Sequence, residues 1–222
     1  MLQLIINYFG VKMKVSRINA GEFGSNCWLV TDDESRESVV IDPSPDIYTI
    51  KETLATRGVT VKYILLTHGH FDHMTSCDTL RDLTGAPLAV HRADEDALIN
   101  SYINCSRIFM NSDIVYRPAE ILLDDGKKLT FGSLSLKTVH TPGHTKGSCC
   151  FMIGDSLFTG DTLFDGSVGR CDLPGGDEDE MTLSLAKLAS LQFDYKIYTG
   201  HGSNTTLAKQ KIYNPYLRKE QI

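Results

Sequence analysis

Short runs of apolar or alternating residues punctuate this chain, and stretches of helical periodicity lie between them. Residues 13–18, Met-Lys-Val-Ser-Arg-Ile, alternate apolar and polar positions as a half-buried strand does. The runs at 26–31, 38–41, 61–67, 88–91, 134–139, 149–153, 157–159 and 196–199 read as strands by the same criteria. Asp46 has the character of an N-cap for a helix that continues through Thr56 and is stopped by Gly58. Further helices are predicted over 73–84, 94–100, 179–191 and 205–213. Two groups of strands, with helices between and after them, imply a layered α/β protein. Since no low-complexity tract, repeat or Pro/Ser-rich linker interrupts the pattern, residues 1–222 read as a single domain. Residues 1–12 read as an N-terminal extension ahead of the clean strand at Met13.

Composition narrows the partners. Hydrophobic residues make up 41% of the chain and charged residues 23%, values of a globular protein with a full core. With 22 Lys and Arg against 28 Asp and Glu, the net charge of −6 argues against nucleic acid or an anionic membrane surface as partner. The apolar stretch at 2–11 is too short to span a bilayer and has neither the basic start nor the cleavage site of a signal peptide, so a cytoplasmic location is expected. Six cysteines without a C-x-x-C pair read as reduced thiols, and Cys149 and Cys150 in an apolar strand read as small hydrophobes.

The candidate chemistry is concentrated in Thr67-His68-Gly69-His70-Phe71-Asp72-His73. Three imidazoles and a carboxylate follow the end of an apolar strand, with Gly69 expected to permit a tight turn. His68 and His70 project to one side, whereas the adjacent Asp72 and His73 are expected to diverge, which suits two neighbouring metal ions better than one. Three further donors repeat the arrangement of strand, glycine and ligand: His144 after Gly143, Asp161 after Gly160, and His201 after Gly200. A lone histidine after a strand is usually a surface or hydrogen-bonded residue, and it is the clustering that changes the reading. Five His and two Asp, without thiolate, suit two divalent ions, with zinc expected first and iron or manganese compatible. His91 and His140 read as ordinary strand-end residues, His140 as a second-layer partner of a ligand imidazole.

The block at 67–73, the turn Thr141-Pro142-Gly143-His144-Thr145, Gly160-Asp161 and Gly200-His201-Gly202 together resemble the metallo-β-lactamase superfamily. That resemblance implies a four-layer αββα sandwich with the metals at one edge of its two sheets. It also implies that His68, His70 and His144 hold one metal, that Asp72, His73 and His201 hold the other, and that Asp161 bridges them. The run from Gly160 to Gly176 and Asn214-Pro215-Tyr216-Leu217 are similar to the glyoxalase II group and its shorter relatives. Glyoxalase II proper continues into a helical domain that holds glutathione, and the short tail after His201 is expected to leave no such domain here. Where that group carries a Lys and a Tyr on its thiol cofactor, this chain has Arg170 and Asp172.

Two cations sharing a water lower its pKa toward ~7 and polarise a carbonyl, so no Ser or Cys nucleophile is required. The expected enzyme is a hydrolase of small thioesters such as S-lactoylglutathione, with Asp72, Asp161 and Arg170 as its catalytic side chains. Arg170 either holds a substrate carboxylate or carbonyl or braces its loop through Asp165 or Asp172. Cys171, nearby in the loop, reads as an unactivated thiol. Alternatives are an oxidoreductase resembling the persulfide dioxygenases with a single iron, and a lactonase or β-lactamase on the same fold.

Overall fold

The computed structural model describes residues 12–217. The N-terminal extension expected at 1–12 therefore lies, but for Lys12, outside the described residues. One six-stranded sheet contains, in spatial order, β1 (Met13–Ile18), β2 (Cys27–Asp32), β3 (Glu37–Ile41), β4 (Thr60–Leu65), β5 (Leu88–His91) and β6 (Ile121–Leu123). Its first three strands are antiparallel, and β3 to β6 run parallel. The other sheet contains β7 (Lys128–Phe131), β8 (Leu134–His140), β9 (Cys149–Ile153), β10 (Ser156–Gly160), β11 (Lys196–Thr199) and β12 (Thr205–Thr206), antiparallel except for the β10–β11 pair.

Burial explains the strand sequences. Trp28, Val30, Val39 and Ile41 of the first sheet pack against Phe131, Leu136, Phe151 and Phe158 of the second to form the central core. The opposite face of the first sheet, through Val40, Ile64 and Leu88, is covered by Ile50 and Leu54 of α1 (Ile47–Arg57) and Leu80 of α2 (Cys77–Thr84). The outer face of the second, through Leu157 and Ile197, is covered by Leu185 and Leu188 of α5 (Glu178–Ala189) and Leu207 of α6 (Leu207–Tyr213). Because β2 and β10 are covered on both faces, every one of their residues is buried and their sequences do not alternate. The four layers are the αββα sandwich expected from the resemblance.

Asp46 caps α1 as predicted, accepting hydrogen bonds from the Tyr48 and Thr49 amides at 3.0 Å. Three predicted helices begin differently. Residues 71–73 form a separate 3-10 turn before α2, and Arg92–Asp94 form another before α3 (Glu95–Ile99). Thr205 and Thr206 pair with β11 before Thr206 caps α6. The short β6, β7 and α4 (Ser106–Met110) have no counterpart in the sequence pattern.

The ends of β4, β8, β10 and β11 open onto one edge of the sandwich. There the sheets are tied by an isolated bridge between Ser25 and His201 and by the Asn26 side chain, which donates to the carbonyls of Thr199 and Gly202. Among the described residues, no helix is long and apolar enough to cross a membrane.

Candidate metal centre

All seven donors expected from the sequence meet at this edge. Their atoms form three overlapping groups whose members lie within 4.8 Å of one another: His68, His70 and His144; His68, His73 and Asp161; and Asp72, His73 and His201. Asp161 stands between the outer groups, with Oδ1 3.4 Å from His73 Nε2 and Oδ2 3.5 Å from His144 Nε2 and 3.6 Å from His201 Nε2. Asp72 and His73 do not diverge as expected. The 3-10 turn at 71–73 brings His73 Nε2 within 3.6 Å of Asp72 Oδ2, and His201 Nε2 lies 3.3 Å from the same oxygen.

Close approach, more than turn conformation, accounts for two of the glycines beside the donors. Gly69 does not have a positive φ; a Cβ there would collide with the Ala97 side chain. At Gly200 a Cβ would overlap Asp161 Oδ1.

Hydrogen bonds fix the ring orientations. Asp42 at the end of β3 accepts from the Thr67 amide at 2.8 Å and the Thr67 hydroxyl at 2.7 Å, and lies 3.0 Å from His73 Nδ1. His144 Nδ1 is 2.7 Å from the Arg170 carbonyl, and His68 Nδ1 is 3.1 Å from Thr67 Oγ1. These contacts leave Nε2 of His68 and His144 toward the cleft, and both atoms, with His70 Nε2 and Asp161 Oδ1, are buried without a hydrogen-bond partner. Four converging orphaned acceptors are costly in a native interior unless a ligand completes them. The donor set, nitrogen and carboxylate oxygen without thiolate, fits two divalent ions.

The electrostatics agree with that fit. Burial and the neighbouring imidazoles push the pKa values of His68 and His70 well down, keeping them in the neutral form that ligates. Burial opposes protonation of His73, but the carboxylates of Asp72, Asp161 and Asp42 prevail and raise it to about 10, so that this ring holds a proton that a bound cation would displace. Asp72, despite its burial, is held below the usual carboxylate range by His73 and His201.

Two acidic residues that organise the site were not singled out from the sequence. Asp42 follows a strand directly, as the ligands do, and that position is the signal that could have found it. Asp94 has no comparable signal. It is buried, accepts from the Gly69 amide at 2.8 Å and the Thr145 hydroxyl at 2.7 Å through Oδ2, and from the Gly147 amide at 2.6 Å through Oδ1. One carboxylate thereby joins the turn bearing His68 and His70 to the turn bearing His144. His91 and His140 end β5 and β8, as strand-end residues should, and their rings stack with centroids 3.9 Å apart; His140 Nε2 lies 2.9 Å from the Lys146 carbonyl instead of against a ligand imidazole.

Arg170 lines the cleft, and its guanidinium is paired with both oxygens of Asp172 at 2.6 Å. Asp165 is engaged instead by Tyr213, Gln210 and Lys209. Burial and the acidic neighbours Glu178 and Asp177 raise the pKa of Cys171, the opposite of thiol activation.

A dinuclear donor set at one edge of an αββα sandwich defines a metallohydrolase architecture. The chain matches the metallo-beta-lactamase superfamily over residues 20–201 and belongs to it. It is 31% identical over 212 residues to "Hydroxyacylglutathione hydrolase GloC" of Haemophilus influenzae, an alignment covering 94% of this chain and all of the relative. The crystal structure of BLEG-1 B3 metallo-beta-lactamase superposes with a TM-score of 0.87 at 33% identity, covering 92% of this chain and 99% of that one. TTHA1623, solved in a di-iron-bound form, superposes with a TM-score of 0.80 at 34% identity, covering 91% and 100%.

Proposed function

We propose that this protein is a dinuclear metal-dependent hydrolase of thioesters and related activated acyl compounds, with S-lactoylglutathione as the reference substrate. One observation carries the choice of leaving group. Among the described residues lining the cleft, every carboxylate and imidazole is also a candidate metal donor. The other titratable side chains there are Arg170 and Cys105, whose thiol is pushed up to about 11 by burial. No separate acid stands ready to protonate a poor leaving group, and a thiolate departs without one.

His68, His70 and His144 would hold one ion and Asp72, His73 and His201 the other, with Asp161 between them. Two divalent ions so held, zinc first and iron or manganese also compatible, supply Lewis acidity toward the carbonyl and make hydroxide available near neutral pH. Asp42 and the Arg170 carbonyl orient the rings of His73 and His144. Asp72, kept ionised, faces the cleft and orients the attacking water. Arg170 acts from the cleft wall through its carbonyl on His144, while Asp172 closes both arms of its guanidinium. In the reaction, the oxygen of water bonds to the acyl carbon and the C–S bond breaks with its electron pair on sulfur. The products are a carboxylic acid and a thiol.

Metal content measured together with S-lactoylglutathione hydrolysis and oxygen uptake tests this reading. About two metals per chain with chelator-sensitive thioester loss are expected. The likeness to BLEG-1 favours a β-lactam substrate as the second reading, so a chromogenic cephalosporin belongs in the same assay. Cephalosporin cleavage by protein carrying two metals and inert toward thioesters would replace the first reading with the second. One iron with oxygen uptake on glutathione persulfide would indicate a dioxygenase.

A further inference from the structure

We infer that the cleft selects thioesters with an apolar, preferably aromatic, acyl arm and an uncharged thiol, rather than a thioester of a small hydroxy acid with an anionic peptide thiol. The inference rests on the thioesterase reading and deepens it.

The cleft, of about 480 Å³, is walled by Phe23, Phe71, Phe109, Phe164 and Leu173. Phe23 and Phe71 meet edge to face with centroids 5.0 Å apart, and Phe164 stands perpendicular to the His201 ring at 6.1 Å. These rings therefore sit immediately beside the donors, where the acyl group of a bound thioester must lie. Phe23 and Phe109 are 40% and 53% exposed, so apolar area is left open to water that a matching substrate would cover. Phe109 belongs to α4, whose Ile108 and Met110 are also exposed. The segment preceding that helix is anchored to the donor turn by the Phe71 amide, which donates to the Asn104 carbonyl at 2.9 Å.

The charges point the same way. A peptide thiol such as glutathione carries two carboxylates and needs cations to receive them. Apart from the histidines, Arg170 is the one cationic side chain among the described residues lining the cleft, and both arms of its fork are closed by Asp172. A hydroxyacyl group would place its hydroxyl against phenyl rings, and among the described residues lining the cleft no side-chain hydroxyl or amide stands to receive it.

The test compares N-acetylcysteamine thioesters of phenylacetic and lactic acid with S-lactoylglutathione, each rate normalised to that compound's hydroxide-catalysed hydrolysis, on protein carrying two zinc ions. The phenylacetyl compound is expected to exceed the lactoyl compound at least tenfold in kcat/KM. Phe109→Ser and Phe23→Ser are each expected to reduce that ratio several-fold, mainly through a higher KM, and Phe109→Leu to restore most of it. Equal or faster turnover of the lactoyl compounds would overturn the inference while leaving a thioesterase. Failure to cleave any thioester would remove the thioesterase reading and this inference together.

Discussion

Replacing Asp94 by Asn is the most informative single perturbation of this site, because the change is nearly isosteric and touches no candidate metal donor. The carboxylate receives three buried hydrogen bonds, from the amides of Gly69 and Gly147 and the hydroxyl of Thr145. An amide has only one acceptor oxygen. Whichever way it is turned, its NH2 faces an amide donor, so either Gly69 or Gly147 loses its partner. An unsatisfied buried donor costs about 1–3 kcal/mol, and each remaining bond falls from the charge-assisted to the neutral range, a further loss of roughly 1 kcal/mol. Against this stands relief of the penalty for burying a charge, which pushes the pKa of Asp94 up. A net destabilisation of about 2–4 kcal/mol is expected in denaturant unfolding. Because the lost bond joins the two turns carrying His68, His70 and His144, metal affinity should fall by roughly 10–100-fold in a chelator competition, the range for a disrupted supporting shell. A variant that unfolds within about 0.5 kcal/mol of the parent and binds zinc equally well would refute the clamp.

Other expectations concern the donors and the pH dependence. His70→Ala and Asp161→Ala should each reduce turnover by at least ~1,000-fold and lower the metal content, with circular dichroism and metal analysis showing that the sandwich persists; wild-type turnover by either would contradict the site. Chelation should abolish hydrolysis, and re-addition of zinc, iron or manganese should restore it, the ranking of the three being read from the recovered rates. His91 should give the folded state an acid limb: burial and the stacked His140 lower its pKa to about 4, from a usual value of about 6.5. Between these values the unfolded chain binds the additional proton, so stability rises with pH through that window and is lost as pH falls. The contribution is at most about 3 kcal/mol, and His91→Gln should flatten the limb in urea titrations at pH 4–7.

Local pattern carried much of this protein. Strands such as Met13–Ile18, Leu88–His91 and Cys149–Ile153 have the bounds that alternation or apolar runs predict, and Asp46 with Gly58 marks α1 at both ends. The seven candidate donors were also legible, because each follows a strand and most stand beside a glycine, so a strand-end position already places a side chain at a sheet edge. What the pattern lacks is any measure of contacts between distant segments. The pairing of β6 with β5, the approach of His201 to Asp72, and the clamp of Asp94 on Gly69, Thr145 and Gly147 all depend on contacts between segments far apart in the chain. Arg170 shows the division most clearly: its charge and its nearness to Asp161 are sequence facts, whereas its pairing with Asp172 and its carbonyl contact to His144 follow from how the loop folds back over the cleft. Periodicity and motif spacing determine which residues reach the edge of the sandwich, but which of them face one another there is decided by packing two sheets together, an arrangement encoded in no single segment.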